Sequence, residues 1–410
     1  MNLLYNTAIG LYSLGAKVLS WNNVKARKML AGQARTMDYL NKVIDRNAKY
    51  IWIHVSSLGE FEQGRPLIEM LKTRMPEKKI VLTFFSPSGY EVRKNYKGVD
   101  AVCYLPFDLK GRVKKFLDVI NPEMAIFVKY EFWGNYLEEL HRRNIPTYLI
   151  SAIFRDSQAF FKRWGGMFRK MLKCYTHLYV QDEASQQLLS NIGVTNVTIA
   201  GDTRFDRVTD ILANSFEISQ AKVMTQNVPI TIIAGSTWTP DEQLLLPYFN
   251  SHLNVKLIIA PHEVNENRLA EIEHQLRRPY CRLSTATDIE ASNTDCLIVD
   301  SFGKLSSIYR YGNIAYVGGG FGVGIHNINE AAVYGMPVVF GPKYSKFKEA
   351  KDLISVGGAF SIKSNDEFVS VMDNFLTDSD ALKDAGASAG EYIRQNLGAT
   401  EKIYRDIFGK

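Results

Sequence analysis

Residues 50–60 read YIWIHVSSLGE: a β-favouring run, then small residues that turn the chain, then a carboxylate at the start of a helical stretch reaching Met75. The phrase repeats. IVLTFF (80–85), AVCYLPF (101–107), MAIFVKY (124–130) and PTYLISA (146–152) follow it, with helical stretches from Ser88, up to Val119 and again before Pro146. Short apolar runs bounded by Gly, Pro, Ser and Asn and separated by helices specify a parallel sheet covered on both faces. HLYVQD (177–182) and VTIAG (197–201) extend the series, and residues 206–229 interrupt it with a polar helical connector ending at Pro229. A second series then runs through ITIIAGS (230–236), VKLIIAP (255–261), CLIVD (296–300), IAYVGG (314–319), PVVFGP (337–342) and GAFSI (358–362).

The expected fold is therefore α/β, with two Rossmann-like doubly wound parallel-sheet domains. The spans are an N-terminal membrane-associated helical segment at 1–35, a first domain at 36–210, a second at 211–390 and a C-terminal helix at 391–410. A chain of 410 residues suits two such cores. Sheets of this kind bind ligands beyond the carboxyl ends of their strands, so function is expected in those loops, across a cleft that the two domains face.

Composition narrows the class. Apolar residues make up 46% and charged ones 22%, which excludes a disordered chain. The 49 Lys and Arg exceed the 43 Asp and Glu by six, enough to favour anionic partners but too few for a dedicated nucleic-acid binder. Cys103, Cys174, Cys281 and Cys296 have no CxxC spacing, so they read as free thiols in a reducing compartment.

In MNLLYNTAIGLYSLGAKVLSW the first charge is Lys17, and Lys25, Arg27, Lys28 and Arg35 come after it. A secretory signal has the opposite order. Leu3, Leu4, Ile9, Leu11, Leu14, Val18 and Trp21 recur at roughly helical spacing, broken by polar residues and by Gly10 and Gly15. That pattern fits a helix lying at an anionic membrane surface, or one packed on the fold, better than a full span. FFKRWGGMFRKMLK (160–173) mixes aromatic and basic residues in the same way, as a headgroup-facing or partly buried helix would.

Chemistry is expected at five loops. Glu60, at a strand-to-helix mouth, is placed to act as a general base or to complement the helix dipole. VGGGFGVGIHNINEAA carries five glycines, with His326, Asn327 and Glu330 at the entrance of the next helix; its exposed backbone N–H groups suit an anion, or the glycines serve a tight turn. Glu330, on the same helix as Asn327, is positioned to accept ribose hydroxyls. AGSTWTPDE offers Ser236 and Thr237 as donors and Thr239 or Asp241 as a cap. Lys304 of DSFGKLSSIY and Arg204 of GDTRFD are cations available to a departing phosphate.

Taken together and in order, HVSSLGE, TFFSPSGYE, YLPFDL, YEFWGN, GDTRFD, FGKL and the glycine stretch resemble the 3-deoxy-D-manno-octulosonic acid (Kdo) transferases of lipopolysaccharide synthesis. The resemblance implies a GT-B fold and inverting transfer of Kdo from CMP-Kdo to a lipid A precursor, with no cofactor and no essential metal. It also implies a place at the cytoplasmic face of the inner membrane. It makes Glu60 the base, has Glu131 and Arg204 stabilise the transition state, and puts CMP against Pro261, His262, Phe302, Gly303, Lys304, Asn327 and Glu330. Three positions depart from the family pattern: His262 stands where Arg is usual, Lys304 where Glu is usual, and Lys129 where a further Glu is usual. The rival expectations are a nucleotide-sugar epimerase of the same architecture and a non-catalytic membrane scaffold.

Overall fold

The computed structural model describes residues 3–226 and 228–409; Met1 and Asn2 of the N-terminal segment, Asn227 of the connector and Lys410 of the C-terminal helix lie outside the described residues. The chain forms two compact units, Met1–Arg207 with Leu397–Lys410, and Val208–Asn396. It leaves the first unit three residues before the expected boundary at 210 and returns to it at Leu397.

The first sheet comprises β1 (Tyr50–Val55), β2 (Lys79–Phe84), β3 (Ala101–Tyr104), β4 (Pro122–Val128), β5 (Thr147–Ala152), β6 (His177–Val180) and β7 (Val197–Ile199), in the order 3-2-1-4-5-6-7. All its pairings are parallel. Every residue of β1 is buried. Tyr50 and Trp52 enter the core on one face, and Ile51, Ile53 and Val55 the core on the other, as strand alternation requires. Each such apolar side chain contributes about 1.5–3 kcal/mol on burial.

The second sheet comprises β8 (Ile230–Thr237), β9 (Val255–Pro261), β10 (Tyr280–Arg282), β11 (Cys296–Ile298), β12 (Ile314–Val317), β13 (Val338–Phe340) and β14 (Ala359–Ser361), in the order 10-11-9-8-12-13-14, again parallel throughout. Strand β10 is absent from the sequence expectation. It is a three-residue edge strand with Tyr280 exposed, so it carries no apolar run to announce it.

Both sheets start in the middle, build one side and then jump back across the first strand; in the second, β11 inserts between β9 and the edge strand β10 before the jump. The strand order therefore reverses between β1 and β4, and between β8 and β12. At such a switch point the connecting loops diverge to opposite faces and leave a crevice at the strands' carboxyl ends. Glu60 follows β1, Glu131 follows β4, Trp238 follows β8 and the glycine stretch follows β12.

Three helices of the first unit bear on the site: α1 (Leu3–Leu19), α2 (Val24–Val43) and α3 (Leu58–Arg74). Helix α1 runs unbroken through Gly10 and Gly15, buries Tyr5, Ser13 and Ala16, and exposes Leu3, Leu4, Leu11, Leu14, Val18 and Leu19. No described helix is long and apolar enough to cross a membrane. The stretch 160–173 is not the single helix expected. A 3-10 turn at Ala159–Phe161 buries Phe160, and a short helix, Gly166–Leu172, begins only after Gly165, leaving Trp164 exposed between them. All four cysteines are free thiols.

Candidate functional site

In the first unit, Ser56 and Ser57 make the turn between β1 and α3, and Glu60 lies in the first turn of α3. The order Ser-x-x-Glu would ordinarily close a capping box, each side chain bonding the other's backbone N–H. That box does not form. Ser57 makes no capping bond, and its hydroxyl donates to Glu60 Oε2. The carboxylate is thereby tied to the loop rather than to the helix backbone.

Glu131, just beyond β4, is almost fully buried, with 5% of its surface exposed. His54 Nε2 lies 2.9 Å from its Oε2, and the Trp133 indole N–H donates to the same oxygen at 2.5 Å. On the other side of the ring, His54 Nδ1 is 2.8 Å from Thr83 Oγ1, which also accepts the Trp52 indole N–H at 2.8 Å. With a proton on Nε2, His54 donates to Glu131 Oε2; the Trp133 indole N–H lies 3.1 Å from that same Nε2, so the three groups form one tight cluster. The Glu131 backbone is held as well, its carbonyl accepting from the Tyr175 hydroxyl at 2.5 Å. Two residues earlier Lys129 has φ of 71°, a conformation that costs a non-glycine residue roughly 1–3 kcal/mol and that turns the chain sharply out of β4.

Arg204 is engaged rather than free. Its Nε and Nη2 donate to Asp202 Oδ2 at 2.9 and 2.7 Å, and Gln63 Nε2 donates to Asp202 Oδ1 at 3.1 Å. Burial works to raise the Asp202 carboxyl, but the Arg204 charge and these hydrogen bonds outweigh it and hold the group below its ordinary value. Tyr130 shows what gathers here. Burial raises its phenol, and the charges that act on it are, in decreasing order, Arg155, Asp182, Glu60 and Arg204. The charges of Glu60 and Arg204 thus both act on one phenol, next in sequence to Glu131.

The motifs YLPFDL and YEFWGN turn out to brace each other. Asp108 of YLPFDL is fully buried and accepts the backbone N–H groups of Asn135 and Tyr136, of YEFWGN and the residue after it, at 3.0 and 2.9 Å. The Tyr5 hydroxyl of α1 donates to Asp108 at 2.5 Å and accepts from Gly134 N–H at 2.9 Å. Helix α1 is therefore hydrogen-bonded to the loop that carries Glu131.

In the second unit, rings rather than charges come together. Trp238 stacks on His262 with centroids 4.6 Å apart, and His262 on His326 at 4.5 Å, so the loops after β8, β9 and β12 share one ladder of three rings. Burial, and then the neighbouring His262, hold His326 below its ordinary value. Asp241 ties the same loops together, accepting from Trp238 N–H and Gly319 N–H at 2.9 Å each and from the Tyr316 hydroxyl at 2.9 Å. The N-cap of the helix Thr239–Ser251 is Trp238 rather than Thr239 or Asp241, and Asp241 acts from the third helical position by accepting the Trp238 N–H; the Thr237 hydroxyl is turned inward to Glu242 at 2.8 Å.

Of the two expectations for the glycine stretch, the tight turn is the one the structure favours. The N–H groups of Gly322 and Gly324 both bond to Gly319 O, at 2.9 and 3.0 Å, and those of Gly318 and His326 bond to Gly235 O and Gly318 O. With Gly319 N–H on Asp241, five amides expected to face a ligand are turned inward. The glycines serve close packing: Gly319 has φ of 92°, and a Cβ on Gly320 would lie 2.6 Å from Gly341 Cα. Asn327 also precedes the helix instead of sharing it with Glu330. That helix is only Asn329–Ala332, and the Asn327 amide donates to Glu330 Oε1 at 3.0 Å. Pro261 ends β9 with His262 exposed beside it, Phe302 is 77% exposed, Gly303 has φ of 80°, and Lys304 precedes the helix Leu305–Ile308. Among the described residues no three His, Cys, Asp or Glu side chains group as a metal would need.

His54, Tyr130, Trp133, Asp202 and Trp238 were not singled out by sequence. The signal for His54 was present: one imidazole in an otherwise apolar central strand must find a buried partner.

Two all-parallel sheets, each with its loops gathered at a switch point, define a protein of the GT-B type. Solved structures share that architecture. UDP-GlcNAc 2-epimerase from Neisseria meningitidis superposes with a TM-score of 0.57 at 14% identity, over 85% of this chain and 99% of that one. Acinetobacter baumannii MurG gives 0.57 at 10% identity, over 88% and 100%.

Sequence relationships are narrower. Residues 28–207 match the family described as 3-deoxy-D-manno-octulosonic-acid transferase (kdotransferase). The chain is 28% identical to a 3-deoxy-D-manno-octulosonic acid transferase of Haemophilus influenzae over 86% of this chain and 85% of that protein, and 27% identical to one of Aquifex aeolicus over 81% and 88%. A bifunctional glycosyltransferase/methyltransferase of Fusobacterium nucleatum is 26% identical over 80% of this chain, which spans about half (53%) of that longer protein. The resemblance carried by the motifs is borne out: this chain is related to the Kdo transferases.

Proposed function

We propose that the protein transfers Kdo from CMP-Kdo to a hydroxyl of a lipid A precursor, with inversion, Glu60 serving as general base. The observation that carries this is that Glu60 and Glu131 follow the two strands of the first sheet's switch point, β1 and β4, while the charges of Glu60 and of Arg204, which follows β7, both act on Tyr130 beside Glu131. In this reading the acceptor hydroxyl loses its proton to Glu60 as the C–O bond to CMP breaks, and the sugar centre gains oxocarbenium character. Glu131, fixed by His54 and Trp133, offsets the developing positive charge. Arg204 offsets the departing phosphate, with Asp202 holding its guanidinium in place. On the second unit the Trp238–His262–His326 ladder offers a stacking face for the cytosine. Pro261, Phe302, Gly303, Lys304, Asn327 and Glu330 are the other contacts assigned to CMP. The inward-turned amides of the glycine stretch leave the phosphate to cationic side chains, of which Lys304 is the candidate in that unit.

The exposed apolar residues of α1 support a peripheral place on an anionic membrane surface, at the cytoplasmic face of the inner membrane. Because Tyr5 braces the Glu131 loop, deleting α1 would disturb the site too. Replacing Leu11, Leu14 and Val18 by Ser is the cleaner test: binding to anionic vesicles should fall, with turnover of a soluble acceptor retained.

Purified protein, CMP-Kdo and a lipid A precursor test the main reading directly. CMP release that depends strictly on the acceptor, with a Kdo-bearing lipid in the mass spectrum, is the expected result. Conversion of a nucleotide sugar without acceptor would favour the second reading, an epimerase, which the shared architecture of UDP-GlcNAc 2-epimerase keeps in play.

A further inference from the structure

Between α1, α2 and the helix Lys110–Ile120 lies a cavity of about 340 Å³, within the range of small-ligand sites, about 300–1,000 Å³, and far larger than one water molecule, about 30 Å³. Its floor is apolar, formed by Leu30 and Met37 of α2 and by Phe107 of the YLPFDL loop. Three cations stand at its edge: Lys17 of α1, and Arg112 and Lys115 one helical turn apart. All three are exposed, and none has a salt bridge among the described residues. On the same α2 stripe as Leu30 and Met37 sits Gln33, 8% exposed, whose amide nitrogen and oxygen both lack a hydrogen-bond partner.

A buried carboxamide with neither group satisfied costs roughly 1–3 kcal/mol per group, so a fold retains one where something else completes it. The chemistry of the walls describes what that is. An apolar floor takes a hydrocarbon segment, a primary amide takes an ester or amide linkage, and three cations take a phosphate. We infer that this cavity binds an acylated phosphate amphiphile: the phosphate at Lys17, Arg112 and Lys115, the acyl linkage at Gln33, and the first part of the chain against Leu30, Met37 and Phe107. The exposed Leu14 and Val18 of α1 flank Lys17 in sequence, so the cavity mouth adjoins the apolar helix face assigned to the membrane. The inference borrows from the proposed function only that lipid is at hand, and it is tested by binding, without turnover.

The probe is dihexanoyl phosphatidic acid, kept below its micellar concentration and titrated calorimetrically into the full chain and into the Glu60→Gln variant. Saturable one-to-one binding to both is expected, at least tenfold tighter than dihexanoyl phosphatidylcholine and with inorganic phosphate binding far more weakly. Joint replacement of Lys17, Arg112 and Lys115 by Gln, all surface positions, should weaken it at least tenfold. Gln33→Leu should weaken it severalfold while raising the melting temperature, because an unsatisfied amide is removed; a merely structural Gln33 would lower it. Equal affinity for inorganic phosphate would reduce the site to a cation cluster, equal affinity for phosphatidylcholine to a greasy groove, and an unaffected triple variant would place the lipid elsewhere. Each of these overturns the inference, and a chain that binds lipid yet fails to transfer Kdo would sink the proposed function alone.

Discussion

The two units build their sites at the same topological position and from different materials. In the first, the loops after β1, β4 and β7 are held by side-chain bonds: Glu131 is buried against His54 and Trp133, Arg204 is paired to Asp202, and Ser57 holds Glu60. In the second, His262, Phe302 and Asn327 are exposed, and the fixed part is the backbone of the glycine stretch. Groups that must meet a transition state gain from being held in advance. Groups that hold a nucleotide can be ordered by the nucleotide itself. On the proposed function one architecture would supply a pre-set half and a ligand-set half, and the contrast can be broken in four ways.

The hardest blow is Glu60→Gln. It should lower kcat by about 10²–10⁴-fold, the usual worth of a general base, with the melting temperature within a degree or two of the parent. If turnover in a folded protein is untouched, Glu60 is a helix-end carboxylate and nothing more.

His54→Phe comes next. It removes one donor from a buried carboxylate, a loss of about 1–3 kcal/mol, which is roughly tenfold to a hundredfold in kcat when expressed in the transition state. A positioning role predicts a displaced limb of the pH–rate profile with KM for CMP-Kdo unchanged. A structural role alone would lower the melting temperature and leave the profile where it was.

The second unit should respond in the opposite sense. Gly320→Ala drives a Cβ into the Gly341 backbone, and overpacking of this kind costs about 1–3 kcal/mol of stability. The expected kinetic signature is a raised KM for CMP-Kdo with kcat nearly preserved, read from initial rates.

The smallest effect is a pH dependence. His326 has its proton affinity depressed by burial and by His262. Below about pH 6.5, the ordinary value for His, the unfolded chain binds more protons than the folded one, so stability falls as pH drops through that range toward the lower folded value. Above it the contribution is fully present. His326→Gln should flatten the acid side of the curve of melting temperature against pH.

What sequence could and could not announce depends on the range of each interaction. Apolar runs such as VKLIIAP mark strands because burial on both faces leaves no room for polar alternation. YCR, three residues at an edge, has nothing to mark. Glu60 was visible because its role depends on a local boundary between strand and helix. Its neighbours were not, since His54 and Glu131 are 77 positions apart and only the β1–β4 pairing brings them together. Arg204 was singled out but its partner was not: Asp202 stands two residues away in GDTRFD, yet the pairing was invisible until the burial of Asp202 made it necessary. The glycine stretch left two readings open, because glycines that admit a ligand and glycines that admit another strand's backbone are written alike.

The return of the chain at Leu397 bears on how the protein is made. Asp206 accepts the N–H groups of Gly398 and Thr400 at 2.6 and 2.7 Å, and Ile403 and Ile407 complete the core face that holds Ile51, Ile53 and Leu67. The second unit is thus an insertion within the first. During synthesis the ribosome emits the first unit's sheet, then the whole of residues 208–396, before the helix that seals that sheet emerges. Until then apolar surface of the nascent sheet waits uncovered, so the unit containing Glu60 is the first begun and the last finished, and its exposure to chaperones is set by the translation time of its neighbour.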